Sequence, residues 1–201
     1  MQFWKMNGAG NDFIILNNLQ EGLSADCFPA LARRLCERRL SIGADGLMVV
    51  ERPQSGGDYR MLFYNSDGSA GEMCGNGARC ICRYGYEIGL AGELQRVETT
   101  AGLVTGRRIT RRQYKIELNR PTTLRLDYPV EVDGKTYPCS YVELGYPGLP
   151  HAVVPIPGLR GRPEAELFAL GRKLRATPLP QGRKCQFLRC GGTGADLGAH
   201  L

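Results

Sequence analysis

The chain has 201 residues, of which 42% are apolar and 23% charged, as in an ordinary globular protein with one large or two small domains. No apolar run approaches the roughly 18 residues that a membrane-spanning helix needs, so no membrane association is expected. The first residues lack the apolar stretch of a secretory signal peptide, which favours a cytoplasmic protein.

The formal net charge is +6, but the basic residues do not predict a nucleic-acid site. They are scattered, often in pairs, at Arg33-Arg34, Arg38-Arg39, Arg107-Arg108 and Arg111-Arg112. No series of aromatic residues that could stack on bases accompanies these pairs. A solvated surface explains them better, so no nucleic-acid partner is expected.

Two strands and a helix are predicted within the first 51 residues. Asp12–Asn18 and Gly46–Glu51 are short apolar runs typical of strands. Between them, residues 24–43 have the apolar spacing of an amphipathic helix, and either Ser24 or Asp26 can cap its start.

The next segment predicts a strand that leads into a buried helix. Tyr59, Met61 and Phe63 alternate onto one face, and the strand stops at a turn that begins with Asn65. A helix is predicted from about residue 76 to residue 88. It is apolar on most of its circumference, as buried helices are.

A domain boundary is predicted near residue 120. Residues 96–120 alternate like strands joined at glycines, so residues 1–120 predict strands wrapped on the central helix. A second group of strand-like runs starts after Pro121. Residues 161–175 then have the pattern of a further amphipathic helix.

The segment NSDGSAGEMCGNGARCIC places Cys74 directly before Gly-Asn-Gly. The thiolate of a cysteine is an effective base, and a helix N-terminus favours that form. Gly75 and Gly77 leave backbone N–H groups uncovered, so the helix start can bind a carboxylate while Cys74 takes a proton from the adjacent α-carbon. Asn76 adds an amide acceptor and two donors. A buried cysteine before a glycine turn explains the local motif equally well.

The other cysteines that we assign are expected to be structural. Eight cysteines without a secretion signal favour free thiols in a reducing compartment. Cys80 and Cys82 are assigned to helix packing, because their spacing from Cys74 fits no zinc motif. Three more are predicted to be small core residues, namely Cys27, Cys36 and Cys139.

Four segments together resemble diaminopimelate epimerases in order and spacing: KMNGAGNDFIILNN, IGADGLMVV, FYNSDGSAGEMCGNGARC and VETTAGLVTG. The resemblance covers roughly residues 1–182. It implies an α+β fold with two similar domains, each a barrel-like mixed sheet around a central helix, and substrate between them. It also implies that two cysteines interconvert LL- and meso-diaminopimelate in lysine and cell-wall synthesis, without pyridoxal phosphate, metal or any other cofactor.

Motif by motif, the resemblance identifies Cys74 as the first of the two acid–base cysteines. It implies that Asn11, Asn65, Gly75 and Asn76 contact the substrate. The expected partner is therefore a small molecule, and the resemblance also allows a homodimer.

Parts of the chain depart from the family pattern. Some members have a glutamine where this chain has Gly46, and Leu149 stands where an asparagine is expected before Pro-His. A second cysteine motif is expected after an Asn-Val-Asn-Phe segment. The CGGTGAD sequence at Cys190 is not assigned to it, because it has an additional glycine and too few residues follow for a helix.

A frameshift accounts for the last departure. Residues 182–188 are compatible with the codons GGG CGA AAA TGT CAA TTT CTG, followed by a C. Deletion of one G from the first codon gives Gly-Glu-Asn-Val-Asn-Phe-Cys, which contains the expected segment. We therefore expect an incomplete second domain at 121–182 and an out-of-frame tail at 183–201 that is irregular or poorly packed.

Two functional hypotheses follow. The first is a diaminopimelate epimerase that uses Cys74; a phenazine-biosynthesis-type isomerase of the same fold is disfavoured by the CGNGARC motif. The second is a truncated product without catalysis that at most binds substrate. The second cysteine motif distinguishes the two hypotheses.

Overall fold

The structure is a computed structural model that describes residues 1–71, 73–118, 120–145, 149–177, 184–188 and 197–200. The chain divides into two compact units, Met1–Asn119 and Arg120–Leu201. Each unit has a hydrophobic core of its own.

In unit 1 the described residues form eight strands and three α-helices. The strands are β1 (Phe3–Gly8), β2 (Asn11–Asn17), β3 (Gly46–Glu51), β4 (Tyr59–Asn65), β5 (Ala70–Gly71), β6 (Leu94–Thr99), β7 (Gly102–Arg108) and β8 (Tyr114–Glu117). The helices are α1 (Asn18–Glu21), α2 (Phe28–Cys36) and α3 (Gly75–Glu87), and a 3-10 turn at Ala25–Cys27 precedes α2.

The strands of unit 1 form one mixed sheet that curls around α3. Its order is β1-β2-β3-β4-β6-β7-β8, with β5 beside β4. The β2–β3 and β4–β6 pairs are parallel and the others antiparallel. Helix α3 contacts β1 and β2 near one edge and β7 and β8 at the other. The α+β fold with a barrel-like sheet around a central helix is therefore confirmed.

The apolar runs of β2 and β3 are continuous because both faces of the sheet are covered. Phe13 and Met48 belong to the core that packs on α3. Ile14 and Leu47, one position along each strand, belong to the core that packs on α2. Each strand therefore supplies one apolar set to each helix, as the two-residue period of a strand requires.

Helix α3 is fixed inside the curled sheet by a buried tyrosine. The Tyr59 hydroxyl lies 3.0 Å from the Ile81 carbonyl oxygen and 2.7 Å from Gln95 Oε1, and Gln95 Nε2 donates to the Cys82 carbonyl at 2.8 Å. A Cβ at Gly85 would lie 2.8 Å from ring atoms of Tyr59. Glycine at this position therefore lets the helix approach the ring closely.

Helix α2 is shorter than predicted, and the predicted caps are wrong. It starts at Phe28, and its N-cap residue Cys27 makes no side-chain hydrogen bond. Ser24 precedes the 3-10 turn and caps nothing with its side chain. The helix ends at Cys36, because the chain turns to extended backbone at Glu37.

In unit 2 the described residues form a five-stranded sheet of order β13-β12-β11-β10-β9 with helix α4 (Glu164–Ala176). The strands are β9 (Pro121–Val132), β10 (Lys135–Leu144), β11 (Leu149–Pro155), β12 (Lys184–Leu188) and β13 (Leu197–His200). The expectation of irregular backbone is wrong for β12, which pairs in parallel with β11, and for β13, which pairs antiparallel with β12. Poor packing of the tail stays a prediction. The rest of the tail lies outside the described residues.

No helix among the described residues is both long and apolar enough to cross a membrane.

Candidate active site

Two strand ends and the start of α3 carry the candidate residues of unit 1, since Asn11 begins β2 and Asn65 ends β4. The register pairs Phe13 with Gly46, and Gly46 with Asn65. The start of β2, the start of β3 and the end of β4 therefore lie side by side at one end of the sheet. This arrangement brings together segments that are distant in sequence.

Cys74 is the N-cap residue of α3, as the sequence predicts. Its backbone is extended, with φ −127° and ψ 119°, and its side chain makes no capping hydrogen bond. The residue is half-buried and its thiol is free. Its carbonyl oxygen accepts the first helical hydrogen bond, from Ala78 N at 2.7 Å. We predict that its sulfur faces a cleft.

The two glycines of the motif have different physical roles. A Cβ at Gly75 would meet nothing closer than Arg79 NH1 at 3.7 Å, so that side of the first turn is open. A Cβ at Gly77 would lie 2.1 Å from Met48 Cε, and Gly77 is buried. Gly77 therefore permits close packing of α3 on the sheet. The backbone N–H groups at the start of a helix have no intrahelical acceptor, and anions bind there.

Asn11 and Asn76 are in direct contact. Asn76 Nδ2 donates to Asn11 Oδ1 at 2.9 Å, across 65 residues of sequence. Asn76 lies in the first turn of α3, two residues after Cys74. Two of the predicted substrate contacts thus form one amide pair beside the candidate base.

Asn65 is held in the turn that follows β4. Its Nδ2 donates to Ser69 Oγ at 2.9 Å, and its backbone N–H donates to the Ser69 carbonyl at 2.9 Å. Asp67 closes the same turn by accepting from Ser69 Oγ at 2.5 Å. Asn65 is therefore ordered by its own turn, separately from the Asn11–Asn76 pair.

An ion cluster that sequence reasoning missed lies directly behind the amide pair. Arg38 NH2 contacts Asp12 Oδ1 at 2.6 Å and Asp45 Oδ1 at 2.8 Å, and Lys5 Nζ lies 3.1 Å from Asp12 Oδ2. The Arg38 guanidinium lowers the pKa of the Asp12 carboxyl to about 2, with Lys5 contributing. In the sequence, Asp12 in GNDF and Asp45 in GADG each stand beside an asparagine or a glycine, and this pattern is the signal that could have indicated the cluster.

Several other cysteines are more deeply buried than Cys74, and this burial affects their pKa values. It raises the pKa of the Cys80 thiol to about 11, that of Cys82 to about 12 and that of Cys36 to about 11. These thiols stay protonated near neutral pH, in agreement with their assignment to packing. Cys139 is also buried, whereas Cys27 is half-buried at the start of α2, outside the site. No cluster that could hold a metal ion occurs among the described residues.

A cavity of about 660 Å³ in unit 1 lies elsewhere on α3. Its lining includes four basic residues, Lys5, Arg79, Arg83 and Arg112, and the buried Cys80, but not Cys74. The candidate site therefore rests on hydrogen-bond geometry, and this cavity contributes nothing to its assignment.

Comparisons with solved structures define the class of fold. A probable proline racemase from Agrobacterium radiobacter K84 matches 98% of this chain and 71% of its own, with a TM-score of 0.67 at 14% identity. A phenazine biosynthesis protein from Enterococcus faecalis matches 95% of this chain and 69% of its own, with a TM-score of 0.63 at 13% identity. At these identities the likeness shows a shared fold and nothing about activity.

Sequence comparison then places the chain in a family. The family model described as diaminopimelate epimerase matches residues 3–116. A diaminopimelate epimerase from Moorella thermoacetica is 41% identical over 180 residues, which are 81% of this chain and 63% of the relative. One from Caldanaerobacter subterraneus is 36% identical over 207 residues, with 94% and 72% covered. The chain belongs to the diaminopimelate epimerase family.

The chain matches only part of the length of several relatives. The chain spans 63% of the Moorella thermoacetica relative and 61% of that from Desulforudis audaxviator. The matched family model includes the segments that carry Asn11, Asn65, Cys74, Gly75 and Asn76.

Proposed function

We propose that this chain carries the Cys74 half of a diaminopimelate epimerase site and binds diaminopimelate as its small-molecule substrate. The observation that carries the proposal is the position of Cys74 at the start of α3, beside the Asn11–Asn76 amide pair. Family membership supports the substrate, because the relatives are named for it.

The chemistry follows from this arrangement. The Cys74 thiolate takes the α-proton, so an S–H bond forms as the C–H bond breaks. The electron pair passes into the adjacent carboxylate, where the N–H groups of the first turn of α3 stabilise the developing charge. Gly75 keeps that turn open, and Asn11, Asn65 and Asn76 supply amide donors and acceptors for the ammonium and carboxylate groups. Cys74, the first turn of α3 and the asparagines together account for every bond made and broken in this proposed step.

Inversion needs a second thiol, which must return a proton to the opposite face of the α-carbon. The family resemblance provides one in a second cysteine motif. We propose that this motif is encoded in the restored frame after Gly182, and that residues 121–182 belong to an incomplete second domain. The alternative function, substrate binding without catalysis, applies if no second thiol reaches the site.

The test is a comparison of Cys74→Ala with Cys27→Ala, because both thiols are half-buried at helix starts and only Cys74 is placed in the site. In deuterium oxide we expect the wild-type chain to bind diaminopimelate and to take up deuterium slowly at the α-carbon. Cys74→Ala should keep the binding and lose the uptake, by roughly 10²–10⁴-fold where the wild-type rate permits the comparison. Cys27→Ala should retain both.

Two outcomes would decide against parts of the proposal. Unchanged deuterium uptake in Cys74→Ala would remove Cys74 from its role as base. Binding without any uptake in the wild-type chain would support the binding-only alternative.

The same proposal assigns the protein to lysine biosynthesis as an isomerase and to the cytoplasm, since the Cys74 thiol must stay reduced to act as a base. It assigns no nucleic-acid or membrane partner. It allows a homodimer, which light scattering at several protein concentrations would test.

A further inference from the structure

Asp45 connects the segments that carry three candidate substrate contacts. Its Oδ2 atom accepts from Asn11 Nδ2 at 3.0 Å. Its backbone carbonyl accepts from Ser66 N, the residue after Asn65, at 3.1 Å. Through Asn11 it also reaches Asn76. Asp45 itself immediately precedes β3, between the start of β2 and the end of β4.

The carboxylate determines the direction of both amide groups. An ionised carboxylate only accepts hydrogen bonds, so Asn11 must turn its Nδ2 towards Asp45. Asn11 Oδ1 then faces Asn76, which must in turn present its own Nδ2. Among the described residues, this order leaves Asn76 Oδ1 available as an acceptor for an ammonium group. It also leaves the second Nδ2 hydrogen of Asn11 available as a donor for a carboxylate.

Asp45 is itself held from several directions. Arg38 NH2 contacts its Oδ1 at 2.8 Å, while the Asp12 backbone N–H donates to its Oδ2 at 3.1 Å. The Asp45 backbone N–H donates to the Asp12 carbonyl at 2.9 Å and lies 3.0 Å from Asp12 Oδ1. The side chain is still 39% exposed, so the ion pair with Arg38 is screened by solvent. Asp45 therefore acts mainly by setting the direction of hydrogen bonds, and less by stabilising the fold.

We propose that Asp45 is a positioning residue that fixes the amide directions of Asn11 and Asn76 for a ligand carrying both an ammonium and a carboxylate group. This inference rests on the proposed function, because the ligand is diaminopimelate. An asparagine at position 45 can present either a donor or an acceptor, so Asp45→Asn removes the directional constraint and keeps the size of the side chain.

The first experiment measures diaminopimelate binding by calorimetry and stability by urea unfolding. We expect Asp45→Asn to weaken binding about tenfold, which corresponds to one charge-assisted hydrogen bond. Asp12→Asn removes the ion pairs with both Lys5 and Arg38. Compared with Asp45→Asn, it should therefore lower the free energy of unfolding more and the affinity for diaminopimelate less. Asp58→Asn is the matched control, because Asp58 accepts from the Arg96 backbone N–H in β6 and, among the described residues, forms no hydrogen bond with the candidate asparagines.

A mutant cycle separates positioning from a general structural effect. If Asp45 acts through Asn11, Asp45→Asn should weaken binding in the wild-type chain and add little in an Asn11→Ala background. A general loss of stability would weaken binding in both backgrounds.

Side-chain amide NMR supplies a readout that needs no substrate. With ¹⁵N-labelled protein, the Nδ2 signals of Asn11 and Asn76 should both shift and lose protection in Asp45→Asn, and stay unchanged in Asp58→Asn. Wild-type affinity in Asp45→Asn, with unchanged amide signals, would overturn the inference and leave the proposed function standing. Changed amide signals in a chain that does not bind diaminopimelate would instead overturn the proposed function and keep the role of Asp45 in ordering the amides.

Discussion

At the scale of single residues, the contact between the β1–β2 hairpin and α3 depends on Gly8. A Cβ at this position would lie 2.7 Å from the Asn76 carbonyl oxygen and 2.8 Å from Cys80 Sγ. The nearer atom belongs to the helix backbone, which cannot rotate away as a side chain can. The glycine therefore lets the hairpin approach the first turn of α3, and this approach brings Asn11 within hydrogen-bond distance of Asn76.

Gly8→Ala should separate the hairpin from the helix. We expect a loss of about 1–3 kcal/mol in the free energy of unfolding, as for other overpacked sites, together with weaker diaminopimelate binding as the Asn11–Asn76 bond lengthens. Urea unfolding and calorimetry measure the two effects. Gly92→Ala is the control, since a Cβ there meets nothing within 4 Å, and it should change stability by less than about 0.5 kcal/mol. Equal stability of the two variants would contradict the packing argument.

At the scale of secondary-structure elements, local sequence patterns predict the bounds of α3 but not the start of α2. Helix α3 was predicted from about residue 76 to residue 88 and lies at Gly75–Glu87, because its apolar circumference is a local pattern. The start of α2 was misplaced because a 3-10 turn precedes it. The hydrogen bond between Asp45 and Asn11 joins residues 34 apart, so no local pattern could reveal it. The curl of the sheet likewise depends on long-range pairing.

The loop between β3 and β4 is organised by one carboxylate on β6. Glu98 is buried and accepts hydrogen bonds from the backbone N–H groups of Gln54, Ser55 and Gly57 at 2.7, 2.6 and 2.9 Å. These bonds, the Gln54 bond contributing most, lower the pKa of the Glu98 carboxyl from 4.5 to about 2. Because the folded pKa is depressed, the loop is stabilised above about pH 4.5, and the stabilisation is lost as the pH falls towards 2.

We therefore expect the hydrogen-exchange protection factors of the Gln54, Ser55 and Gly57 amides to fall between pH 4.5 and pH 2. In Glu98→Gln they should be low throughout, because the amide group accepts these bonds less strongly. The Val49 amide in β3 serves as an internal control and should keep its protection in the variant. Protection at Gln54 that is independent of pH in the wild-type chain would refute this account of the loop.

At the scale of the whole molecule, the proposed half-site is built from unit 1 alone. The Asn11–Asn76 pair, the Asp12–Arg38–Asp45 cluster and the N-cap at Cys74 all lie within Met1–Asn119. Unit 1 also has two core clusters, one on each face of its sheet. The hydrogen bonds that arrange the proposed half-site therefore come from residues of unit 1. The proposed mechanism needs a second proton donor in addition to Cys74.

The last prediction concerns that second donor. In the proposed mechanism Cys74 serves one face of the α-carbon, and a catalytic group must lie within about 3–3.5 Å of the atom on which it acts. Cys185 lies on β12, and Cys190 lies outside the described residues. We expect the 201-residue chain not to convert LL- to meso-diaminopimelate at a useful rate. Deleting one G from the Gly182 codon, with the coding DNA read beyond codon 201, should restore conversion.

The assay compares both chains for LL-to-meso conversion and for solvent deuterium uptake, with Cys74→Ala in the frame-restored chain as the control that should abolish both. Conversion by the 201-residue chain that disappears in Cys190→Ala would identify Cys190 as the second base. It would also refute the frameshift, because the tail in its present frame would then supply the thiol that acts on the opposite face of the substrate.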